Sequence, residues 1–143
     1  MTAAQTDPVR VLNRMVQVLL GSFPVYLEST RPWSIYDPKD VCGRIGIVAT
    51  DQRAMANRLI KKIHSLGAQV DPGRFPREFT AFNDLAIPAI LDLAIQRQQA
   101  MIAELGTGSK ALADYHDLAS VVEEAVGNAR GHLVALEELR NEL

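Results

Sequence analysis

Four long stretches of this sequence place apolar residues three and four positions apart, and the links between them run short, long, short. A short link turns the chain straight back on itself, whereas a long one lets it travel the length of a helix before the next begins. Helix A carries the stripe Leu12, Met15, Leu19, Ser22 and Tyr26, and helix B carries Val41, Ile45, Val48, Gln52, Met55, Leu59 and Ile63. Helix C carries Ile87, Leu91, Ala94, Gln98, Met101 and Leu105. Helix D carries Leu118, Val122, Ala125, Ala129, His132, Leu136 and Leu139, with Tyr115, Val126 and Leu133 widening its apolar face. A spacing of about seven residues per two turns predicts near-antiparallel packing in a bundle. No stretch alternates as a half-buried strand does, so the fold class is all-α.

Punctuation sets the boundaries. Asp7 before Pro8 reads as an N-cap, and Asp37-Pro38 repeats the device, with Asp40 placed to reach back to the cap. Gly67 and Gly106 can close helices, while Asn83 or Asp84 and Ser109 can cap the ones that follow. These signals predict one domain with A over 8–28, B over 38–66, a crossover over 67–83, C over 84–105 and D over 110–141. Pro24, just after Gly21-Ser22, predicts that helix A bends or ends early, whereas Pro88 falls in a first turn that tolerates it. An aromatic turn, Arg31-Pro32-Trp33-Ser34-Ile35-Tyr36, pairs A with B. The crossover can extend about 50 Å, enough to run back along a helix of roughly 40 Å, so C is predicted parallel to B. Phe75, Phe79 and Phe82, with Pro72 and Pro76, mark it as an ordered strap packed on the bundle.

Composition excludes several function classes. With 143 residues, 48% hydrophobic, 22% charged and a net charge of -2, the chain reads as one globular domain without the basic excess that recruits nucleic acid. The apolar runs Met15–Leu20 and Ile87–Ile95 fall short of the roughly twenty residues of a bilayer span. The first residues lack the pattern of a secretory signal, so a cytoplasmic location without membrane attachment is expected. Cys42 has no partner cysteine and reads as a packed thiol. No Gly-rich phosphate loop, zinc-type Cys pair or triad spacing is present.

The stretch Ala49-Thr50-Asp51-Gln52-Arg53-Ala54-Met55-Ala56-Asn57-Arg58-Leu59-Ile60 resembles the second helix of rubrerythrin-type proteins. Around it, and around Gly127-Asn128-Ala129-Arg130-Gly131-His132-Leu133, the chain is similar to bacterial ferritin-like proteins. The resemblance implies a ferritin-like four-helix bundle with its long crossover between B and C. In metal-binding members an inward Glu on A and C, and a Glu-x-x-His pair on B and D, hold two iron or manganese ions. This sequence departs from that pattern: B offers Gln52 and Met55, D offers Ala129 and His132, C offers Gln98 with Asp92 nearby, and A offers Ser22 or Gln17.

Two readings follow. In the preferred one, Ser22, Gln52 and Gln98 are buried polar residues that hydrogen-bond one another, and His132 is a core or interface histidine. No catalytic residue and no cofactor are then expected, and the chain is a non-catalytic ferritin-like bundle acting through self-assembly or partner binding. A stress or storage role is implied by the resemblance alone. In the alternative, Asp51, Asp92, Glu124 and His132 assemble an irregular iron or manganese site, and the chain is a metal-dependent oxidase or ferroxidase. The wide face of D predicts a homodimer through D or through the A and B face. Gly43 and Gly46 on B, with Gly127 and Gly131 on D, are spaced for close helix approach inside the bundle or between subunits.

Overall fold

Helix A begins where its cap places it: Asp7 Oδ1 accepts from the Val9 N–H at 3.0 Å, and Pro8 opens the first turn. The computed structural model describes residues 7–30, 38–82 and 85–143. Within them lie five α-helices, two 3-10 turns and no strand. Helix A is two helices, α1 (Pro8–Leu20) and α2 (Phe23–Thr30), broken at Gly21-Ser22. Pro24 takes the second position of α2, where a missing N–H leaves no helical carbonyl unpaired. Helices B, C and D become α3 (Val41–Ser65), α4 (Ile87–Ala111) and α5 (His116–Asn141).

Several boundaries differ from the sequence expectation, each for a local reason. Asp37, the aromatic turn 31–36, Asn83 and Asp84 lie outside the described residues. Asp40 itself caps α3, in the left-handed conformation at φ 52°, and accepts from the Gly43 N–H at 3.3 Å. A Cβ at position 43 would lie 2.4 Å from the Asp40 carboxylate, so Gly43 serves the cap rather than a helix contact. Helix C does not stop at Gly106; α4 continues to Ala111 and α5 starts at His116 instead of residue 110. Glycine costs a helix about 1 kcal/mol, less than the roughly 1.5–3 kcal/mol of burying one leucine, and Leu105 and Leu112, on either side, are fully buried. Ser109 caps nothing; its hydroxyl donates to Glu123 across the α4–α5 seam at 3.3 Å.

The core divides into two clusters that fix the helix directions. One joins the start of α1 (Leu12, Met15) to the ends of α3 (Leu59, Ile63) and α4 (Met101, Leu105) and the start of α5 (Val122). The other joins α2 (Phe23, Leu27) to the starts of α3 (Val41, Ile45) and α4 (Ile90, Leu91) and the end of α5 (Leu136, Leu139). Thus α3 and α4 run the same way, and α1, α2 and α5 run against them. Polar pairs set two turns apart on α3 join it to α5, Arg44 with Glu142, Asp51 with His132 and Arg58 with Glu124. Exposed pairs of this kind contribute at most about 1 kcal/mol each; their reversed order on the two helices marks the antiparallel register.

The crossover returns along α1. Asn13 donates from Nδ2 to the Gln69 carbonyl at 3.1 Å and accepts the Asp71 N–H at 2.8 Å, while Gln17 Nε2 donates to the Asp71 carbonyl at 3.1 Å. Gly73, at φ 71°, lies so close that a Cβ would come within 2.8 Å of Gln17. The strap then coils into a 3-10 turn, Arg77–Phe82, in place of a fully extended run. Phe79 is buried against Phe23 at a ring separation of 4.9 Å, and Arg97 of α4 covers its ring at 5.4 Å.

Gly127 and Gly131 face open space, with nothing within 4 Å of an added Cβ, so neither brings helices of this chain together. The close approach occurs instead at Gly108, where a Cβ would meet Met15 Sδ of α1. Val126 is buried within the core, because α5 has neighbours on two sides, α3 and α4; the width of its apolar face is partly consumed internally. Among the described residues no helix is long and apolar enough to cross a membrane.

Candidate functional site

Midway along the helices the apolar core gives way to one polar chain with a member from each side of the molecule. Ser22, at the α1–α2 break, donates from Oγ to Gln52 Oε1 of α3 at 2.6 Å. Gln52 Nε2 donates to Gln98 Oε1 of α4 at 3.2 Å, and Gln98 Nε2 donates to the Ala129 carbonyl of α5 at 3.0 Å. The three side chains are only 7%, 2% and 1% exposed. The Ala129 carbonyl fixes the sense of the chain: it only accepts, so Gln98 turns its NH2 to it and its oxygen to the Gln52 NH2, which leaves the Gln52 oxygen to accept the Ser22 hydroxyl proton. Ala129 matters through its size, since a small side chain lets Gln98 reach the α5 backbone.

His132 lies one turn beyond Ala129 and does not enter that chain. Its Nε2 meets Asp51 Oδ2 at 3.0 Å, on the α3–α5 surface. A carboxylate only accepts, so Nε2 carries the proton of this contact. Nδ1 is buried with no hydrogen-bond partner among the described residues.

The structure does not gather the four residues of the alternative metal site. Asp51 and His132 meet each other, but Asp92 binds Arg140 at 2.8 Å and Glu124 binds Arg58. Asp92 and Glu124 are each held at the surface by an arginine. At the central positions Met55 and Ala129 are buried apolar side chains, and both glutamines are engaged by each other. Neutral amides and a thioether do not supply the bridging carboxylates that a dinuclear iron or manganese centre requires, and among the described residues no three His, Cys, Asp or Glu side chains cluster as ligands. The residues present do not fit such a centre.

Sequence spacing placed Ser22, Gln52 and Gln98 on inward stripes, but the backbone acceptor left no signal. Every residue has a backbone carbonyl, so nothing distinguishes that of Ala129 in advance. The Asp51–His132 pair depends on the rotation of α3 against α5, which one chain's periodicity does not specify. No family model, curated protein or solved structure matches the chain.

Proposed function

We propose that this chain is a non-catalytic helical bundle of the ferritin-like kind, acting through self-assembly or through binding a partner. The observation that carries the reading is the closed chain from Ser22 through Gln52 and Gln98 to Ala129. Its polar groups are committed to joining the helices, at the level where the ferritin-like resemblance implies metal ligands. Buried polar contacts of this sort act as registry devices, because an alternative packing would leave amides unpaired. A central role for iron or manganese is accordingly not part of this function.

Self-assembly is the more specific form of the proposal. Ile47 of α3 is exposed, and Gly127 and Gly131 of α5 have open space around them, so a second helix can approach α5 closely. Sedimentation velocity at micromolar concentration is expected to show a homodimer that Gly131→Glu converts to monomer. A wild-type protein that sediments only as monomer removes self-assembly and leaves partner binding.

A further inference from the structure

The break between α1 and α2 leaves a cavity of about 190 Å³ between the crossover and α4. Two members of the buried polar chain, Ser22 and Gln98, form part of its lining, together with Phe23 and Phe79. Gln98 uses one amide hydrogen on Ala129, and its second has no partner among the described residues. The polar chain is therefore closed between helices, and two of its members also line the cavity.

Charge identifies what suits that cavity. The lining includes Arg14, Arg74 and Arg97 against a single carboxylate, Glu104. Arg14 is neutralised by a two-pronged contact with Glu104 at 3.0 and 2.9 Å, and Arg97 lies 3.5 Å from Glu78. Arg74 has no hydrogen-bond or ion-pair partner among the described residues, and the whole chain is acidic. A larger groove nearby, about 850 Å³ between α1 and the end of α4, has a balanced rim of Arg10, Arg14, Asp71 and Glu104 and shows no such preference.

Size narrows the class further. Ligand pockets for drug-sized molecules run from about 300 Å³ upward, and this cavity, at about 190 Å³, is smaller. A space of that size suits one compact oxyanion. We infer that the cavity at the α1–α2 break binds a small oxyanion, the carboxylate of a short organic acid or a phosphate group, between Arg74 and the Gln98 amide. Guanidinium forks match both groups geometrically. The site is independent of the assembly proposed above.

The test is calorimetric titration of the full chain at low ionic strength with inorganic phosphate and, separately, with succinate, against sodium chloride at matched ionic strength. Saturable binding of at least one oxyanion, with none for chloride, is expected; which one binds identifies the source. Arg74→Glu and Ala100→Glu change exposed residues at the cavity and should each weaken binding about tenfold or more, whereas Lys61→Glu on the outer face of α3 leaves it within about twofold. No saturable binding by either oxyanion overturns the inference, as does binding that both cavity variants leave unchanged.

Discussion

Replacing Phe23 with Ala is expected to cost about 3–5 kcal/mol, the usual range for removing a buried aromatic ring. Phe23 is 1% exposed and its ring meets Tyr26 at 6.1 Å, Phe79 at 4.9 Å and Phe82 at 6.0 Å. It is the point at which the crossover is fastened to the bundle, so its loss removes core packing and strap packing together. Domains of this size carry only about 5–15 kcal/mol in total, and the variant should unfold at a much lower urea concentration, with earlier proteolysis in the crossover. Phe75→Ala is the control: its ring is 38% exposed and touches Tyr26 at 5.3 Å, so it should cost below about 1 kcal/mol. Equal losses for the two variants would mean that the strap is not fastened through Phe23.

The second expectation concerns the amides. Gln98→Leu removes the acceptor for Gln52 and leaves a buried N–H group unpaired, while Gln52→Leu leaves both the Ser22 hydroxyl and the Gln98 oxygen without their partners. Each single change should cost about 1–3 kcal/mol, the penalty of an orphaned buried polar group. The double variant should lose clearly less than the two single losses added together, because each leucine removes the amide group that the other change orphans, leaving only the Ser22 hydroxyl without its acceptor. Urea titrations of the four proteins give the coupling directly. Additive losses would show that Gln52 and Gln98 act independently.

The periodic stripes made the long helices legible, since burial of Ile45, Leu59, Leu91 and Leu136 is what holds α3, α4 and α5 in place. Chain punctuation was less informative. Gly106 carried the signal of a helix end, yet burial of Leu105 and Leu112 overrides a local preference of about 1 kcal/mol. The true turn at residues 112–115 contains neither glycine nor proline. Pro24 and Gly21-Ser22 did mark a break, because a lost donor and a missing side chain act within one turn and need no tertiary context. At the centre, the stripe positions of Gln52 and Gln98 were visible, and what they bind depended on helix rotation. The cavity at the α1–α2 break was invisible from sequence for the same reason: its lining comes from α1, α2, the crossover and α4 at once.

The central claim is that hydrogen-bonded amides, rather than metal ligands, occupy the middle of this bundle. Elemental analysis of the purified protein after exposure to iron and to manganese tests it most directly. No stoichiometric retention of either metal is expected; about two ions per chain, the complement of a dinuclear carboxylate centre, lost on Asp51→Ala or His132→Ala, would show a metal site in place of the amide chain.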